Sequence, residues 1–319
     1  MVINILLIVL GAAMVLFGAD RLTEGASALA RKMHMSEMVI GLTIVAFGTS
    51  MPEFVISLMS ALKGSADLAV GNVVGSNIFN TLLIVGVAAL VAPIAIKKET
   101  IKRDCPFGLF ASVMLIVFCI DRWSPILRGN KISRIDGTGL LLMFAVFMFL
   151  MLKDALRSKA EPSESTVKSI PLWLALIYLL GGLGLLIWGS DIFVDAAVKV
   201  AQSLNVSESV IGLTIVAFGT SLPELATSVV AAKKGKAEMA IGNVMGSNVF
   251  NILWILGFTS VICPLDINGI TIIDLGIMLI SMLMFWLFSY TKLKIERWEG
   301  LVLTLVFLAY LTFLISNCQ

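Results

Sequence analysis

The sequence predicts an all-α membrane protein, with ten transmembrane helices forming two inverted five-helix repeats. Composition is the first ground. Of 319 residues, 59% are hydrophobic and 14% charged, and mean hydropathy is +1.00; soluble domains carry about 25% charged residues. An internal duplication is the second. GLTIVAFGTSMPE at 41–53 returns as GLTIVAFGTSLPE at 212–224, and GNVVGSNIFN at 71–80 returns as GNVMGSNVFN at 242–251, always at an offset of 171. About 31 of the 48 positions from Val39 to Gly86 match their partners from Val210 to Gly257, so this is a true repeat and not a compositional bias. The third ground is one polar stretch, 153–169, with five apolar runs on either side.

The apolar runs place the spans at about 2–19, 37–62, 67–92, 104–121 and 136–152, then 170–190, 208–232, 238–262, 269–289 and 298–316. The first has no basic leader and no A-x-A site, so it reads as a membrane helix and not as a cleaved signal. At about 20 residues per crossing, ten spans take roughly 200 residues and leave short loops. Ser36-Glu37 and Ser207-Glu208 read as helix N-caps with an acid in the first turn. The first repeat is placed at 1–152 with its motif at 41–80, a linker at 153–169, and the second repeat at 170–319 with its motif at 212–251. Five added spans reverse the direction of insertion. The copies therefore face opposite ways, the plan of many secondary transporters, whose site lies near the midplane between the repeats.

Lys and Arg number 17 in loops 1–2, 3–4, 5–6, 7–8 and 9–10 but 6 in the others. The positive-inside bias makes the first set cytoplasmic, with the linker, and leaves both termini outside. The expected location is the cell membrane. A net charge of +2 gives no footprint for nucleic acid. Cys105, Cys119, Cys263 and Cys318 have no paired spacing and read as small hydrophobes. His34, beside Arg31 and Lys32, reads as a surface residue. Asp20 and Glu24 match Asp191 and Asp195 across the repeat; they read as polar helix ends, or as the lining of a cation entrance.

The chemistry lies in the duplicated motifs. Carboxylates at membrane depth cost roughly 2.5–3.5 kcal/mol each even on lenient scales, and so mark function. Thr49, Ser50, Glu53 and Ser57 share a helix face, as do Thr220, Ser221, Glu224 and Ser228. Pro52 and Pro223 lack an N–H, so both helices are expected to break and to free carbonyls around Ala46–Gly48. Such backbone is tolerated in a bilayer only where it lines a cavity or is buried in protein. The third span adds Gly71, Asn72, Gly75, Ser76, Asn77 and Asn80; the eighth adds Gly242, Asn243, Gly246, Ser247, Asn248 and Asn251. The glycines also fit plain helix packing, which for the third span means close approach to the second. The donors are all oxygen, a set suited to a hard cation: Ca²⁺ takes about 6–8 oxygens. Na⁺ can use the same carboxylates, which makes occupancy competitive, as exchange requires.

With GTSMPE/GNVVGSNIFN and GTSLPE/GNVMGSNVFN in view, the chain resembles the cation/Ca²⁺ exchanger superfamily, and most closely its prokaryotic sodium/calcium exchangers. The resemblance covers essentially the whole chain. It implies four adjacent ion sites among spans 2, 3, 7 and 8. Glu53 and Glu224 would be shared carboxylates, with Thr49 and Thr220 at the calcium site. Ser50, Ser221, Ser76 and Ser247, with backbone oxygen of Ala46 and Ala217, would serve sodium; Asn80 and Asn251 would complete the centre. It further implies that spans 1 and 6 slide as a pair to alternate access. Some relatives carry Asp where this chain has Asn251, which argues against potassium co-transport here.

The expected function is a calcium/sodium antiporter working by alternating access. Its partners are Ca²⁺, Na⁺ and membrane lipid, a monomer suffices, and no cofactor is implied. The alternatives are H⁺/Ca²⁺ exchange through the same glutamates, disfavoured by the GTS-x-PE form, and a cation channel. The sequence shows no nucleophile–base pair or phosphate loop, so it does not read as an enzyme.

Overall fold

The computed structural model describes residues 1–119, 131–157, 170–204, 217–267 and 269–317. Its helices are α1 (Val2–Lys32), α2 (Glu37–Thr49), α3 (Met51–Leu62), α4 (Ala66–Val91), α5 (Cys105–Cys119), α6 (Arg134–Arg157) and α7 (Leu172–Ser203). After them come α8 (Ala217–Gly219), α9 (Leu222–Lys233), α10 (Ala237–Ile262), α11 (Ile272–Tyr290) and α12 (Arg297–Asn317). Seven are long and apolar enough to cross a membrane, and the bent pair α2–α3 makes an eighth. The chain is thus an all-helical, multi-pass membrane protein. Two predicted spans, 104–121 and 208–232, fall partly outside the described residues, as do the predicted cap Ser207-Glu208 and most of the linker.

Predicted boundaries fail most at the first and sixth spans, which run on to Lys32 and Ser203. A hydropathy window stops at Asp20. In α1 the acids beyond that point meet cations: Lys234 Nζ lies 2.5 Å from Asp20 and 3.5 Å from Glu24, and Arg21 lies 2.9 Å from Glu24. These ion pairs favour the helix-end reading of Asp20 and Glu24 over an entrance lining. Asp191 and Asp195, their repeat partners, form no ion pair among the described residues.

α1 and α7 lie against each other along a seam of small residues seven apart. A Cβ on Gly11 would come 2.8 Å from the Gly189 carbonyl, one on Gly18 2.8 Å from that of Gly182, and one on Gly25 2.6 Å from that of Ala175. Numbers rise along α1 as they fall along α7, so the pair is antiparallel. With no hydrophobic drive between helices in lipid, backbone approach of this kind supplies the packing contact.

Two short antiparallel ladders staple the loops. Ile94–Ala95 pairs with Lys294–Ile295, and Lys131–Ile132 pairs with Leu265–Asp266. The apolar member of each strand is buried: Ile94, Ile295, Ile132 and Leu265. Ser36 caps α2 through a hydrogen bond from the Val39 N–H, as predicted. Cys105 and Cys119 are buried free thiols, consistent with their reading as small hydrophobes. His34 is exposed, with φ at 54°.

Candidate cation site

The site is built on two matching breaks. α2 ends at Thr49, Ser50 turns at φ −85°, ψ 7°, and α3 restarts with Pro52 in its first turn, at a bend of 46°. In the second copy Ser221 has φ −89°, ψ 9°, and Pro223 opens α9. Proline at the start of a helix forgoes an N–H that would have had no partner there. Glu53 and Glu224 thus both stand in a first turn, and both are buried at 1% exposure.

Each carboxylate is held by the other repeat. Ser221 Oγ donates to Glu53 Oε1 at 2.8 Å, and Ser50 Oγ donates to Glu224 Oε1 at 2.9 Å. Ser76 Oγ lies 3.2 Å from Ser221 Oγ, and Ser247 Oγ reaches Glu224 Oε1 at 3.4 Å. Thr220 faces Glu53, and Thr49 faces Glu224. Thr49 also bonds its own helix at Val45 O (3.1 Å) and meets Asn243 Oδ1 at 3.1 Å.

Asparagines fasten the neighbouring helices. Asn72 Nδ2 donates to Ser57 Oγ and to the Glu53 carbonyl, at 3.0 and 3.2 Å; Asn243 Nδ2 does the same to Ser228 Oγ and the Glu224 carbonyl, at 3.0 and 3.4 Å. Asn80 and Asn251 each sit in a widened π turn, Phe79–Ile84 and Phe250–Leu256. Such turns recur at functional sites. The repeated motif gave no sign of them.

Four oxygens at matching positions of the two copies emerge bare. Glu53 Oε2, Glu224 Oε2, Asn80 Oδ1 and Asn251 Oδ1 are buried without a hydrogen-bond partner among the described residues. They form two repeat-related pairs. Buried polar atoms are otherwise almost always satisfied, and an exception calls for a missing partner such as an ion. All four are acceptors, so the missing partner is electron-poor.

Two expectations are corrected. The break does not free the Ala46 carbonyl, which accepts the Ser50 N–H at 3.0 Å; in the second copy the Ser221 N–H turns to Phe218 O at 3.2 Å and not to Ala217. The glycines of the third span do not bring it against the second: a Cβ on Gly75 meets nothing within 4 Å among the described residues, and one on Gly71 meets only Ile270. Close approach is instead across the repeats. A Cβ on Gly242 would lie 2.7 Å from Met38 O, and one on Gly246 2.7 Å from Leu42 O. The positions equivalent to Met38 and Leu42 are 209 and 213, outside the described residues.

A multi-pass helical protein that buries two carboxylates at broken helices, each held by the other repeat, and leaves two amide oxygens bare on the neighbouring helices has the form of a membrane ion transporter. The chain belongs to the sodium/calcium exchanger protein family, whose model matches residues 3–153 and 174–316. Among relatives, it is 32% identical to the sodium/calcium exchanger MaX1 of Methanosarcina acetivorans, over 98% of each chain. It is 34% identical to the inner membrane protein YrbG of Escherichia coli, over 97% of this chain and 95% of that one. A solved structure of the sodium-calcium exchanger NCX_Mj, soaked with 10 mM Na⁺ and 10 mM Sr²⁺, matches with a TM-score of 0.83 at 31% identity, covering 98% of each chain.

Proposed function

We propose that this chain is a secondary antiporter that exchanges Na⁺ for Ca²⁺ by alternating access. The ions would bind between α2–α3, α4, α8–α9 and α10. The observation that carries this reading is the set of four bare oxygens, two carboxylate and two amide, arranged in repeat-related pairs. Two carboxylates neutralise one Ca²⁺, and the hydroxyls now spent on them can turn to Na⁺ when Ca²⁺ leaves. Glu53, Glu224, Thr49 and Thr220 would hold Ca²⁺; Ser50, Ser221, Ser76 and Ser247 would serve Na⁺, with the Ala217 carbonyl and the lone pair of the Ala46 carbonyl that the Ser50 N–H leaves open. Asn80 and Asn251 would close the centre. Without a cation, two adjacent buried acids repel and pay a desolvation cost, so the empty carrier resists crossing.

The inverted ten-span plan, in two repeats about the cytoplasmic linker, draws support from α1 and α7. These equivalent helices run antiparallel, as inversion requires. Purified protein in sealed vesicles tests the function. Radioactive calcium should enter against an outward sodium gradient at clamped pH. Uptake that ignores sodium and follows a proton gradient would instead mean H⁺/Ca²⁺ exchange, and single-channel current steps without counterflow would mean a channel.

A further inference from the structure

Where α4 crosses α10, four asparagines interlock. Asn251 Nδ2 donates to Asn77 Oδ1 at 3.1 Å, and Asn80 Nδ2 donates to Asn248 Oδ1 at 3.1 Å. Both links join one repeat to the other. A primary amide has a donor end and an acceptor end, and a half-turn exchanges them. With each nitrogen engaged, Oδ1 of Asn80 and of Asn251 is the end left bare and buried.

The orientation has a cause. Asn77 Nδ2 reaches the backbone carbonyl of Asn248 at 3.3 Å. A carbonyl can only accept, so the Asn77 nitrogen must face it and its oxygen must face Asn251. Asn248 Nδ2 is in turn seated on Thr81 Oγ1 at 2.8 Å. We propose that Asn77 and Asn248 are positioning residues: each holds its partner amide, Asn251 or Asn80, with oxygen and not N–H toward the transported cation. A flipped amide would aim two partly positive hydrogens at the ion. This role builds on the exchange function proposed above.

A carboxylate has no wrong end, because both its terminal atoms accept. Aspartate at 251 therefore dispenses with the service of Asn77, whereas asparagine does not. The test compares wild type, Asn77→Leu, Asn251→Asp and the double variant in vesicles, reading the half-saturating Ca²⁺ concentration of sodium-driven uptake. Partners that orient a metal ligand are typically worth about 10- to 100-fold in affinity, and Asn77→Leu should show that loss when position 251 is asparagine. With Asn251→Asp present, the same change should cost no more than about twofold, the ordinary error of additivity. An equal loss in both backgrounds overturns the proposal, and so does no loss in the first. The mirror cycle, Asn248→Leu with Asn80→Asp, carries the same expectation and is overturned by the same two results; it decides the matter if Asn77→Leu fails to elute as a folded species. Failure of the exchange reading itself looks different, since wild type would then show no sodium-driven uptake at all.

Discussion

The Ser50 hydroxyl, in the first repeat, donates to Glu224 Oε1 of the second at 2.9 Å. Ser221 returns the bond to Glu53 at 2.8 Å. Neither acid is positioned by its own repeat alone. For a carboxylate buried in protein, the reciprocal hydroxyl fixes its direction while leaving its second oxygen bare.

The serine bonds should therefore weigh on sodium more than on folding. Ser50→Ala removes the bond to Glu224, worth roughly 0.5–1.5 kcal/mol, and Ser221→Ala removes the matching bond to Glu53 together with the contact to Ser76. The sodium concentration for half-maximal exchange should rise by about 2- to 10-fold, at about 1.4 kcal/mol per decade. Sodium titration of calcium uptake at fixed pH checks this; an unchanged midpoint would remove the serines from the sodium sites.

Glu53→Gln and Glu224→Gln separate charge from shape. A glutamine oxygen still accepts the serine hydroxyl, so the local hydrogen bond survives while a full charge is lost. Exchange should fall by at least about 100-fold, equivalent to roughly 3 kcal/mol. Near-normal calcium flux in either variant would count decisively against a shared carboxylate site.

Asn251→Asp adds a third carboxylate where Oδ1 is already bare. It should change which cations compete with Ca²⁺ without changing elution on size-exclusion chromatography. Identical competition curves for Na⁺ and K⁺ would mean that position 251 does not touch the ions.

The seam between α1 and α7 can be tested with an internal control. A Cβ at Gly25 would sit 2.5 Å from Leu179 N and 2.6 Å from Ala175 O, backbone that cannot step aside. Gly25→Ala should destabilise by about 1–3 kcal/mol, as overpacking does. Gly181→Ala, on α7 with nothing within 4 Å among the described residues, should leave thermal unfolding in detergent unchanged or slightly improved. Equal behaviour of the two would remove the close approach as the cause.

Much of this was legible in the chain itself. Hydropathy announced the membrane, since apolar runs in lipid need only local composition to be recognised. The offset that pairs Glu53 with Glu224 marked the candidate site, because a buried carboxylate repeated at a matching position has no packing purpose. Other features needed the folded molecule. Which serine serves which glutamate, and which amide end of Asn251 is left bare, depend on contacts between residues some 170 positions apart. One-dimensional pattern records what a residue can offer; only the crossing of helices from opposite repeats selects the partner that takes it up. The sequence by itself determined the acids, the repeat and the membrane, and tertiary structure decided the direction in which each oxygen points.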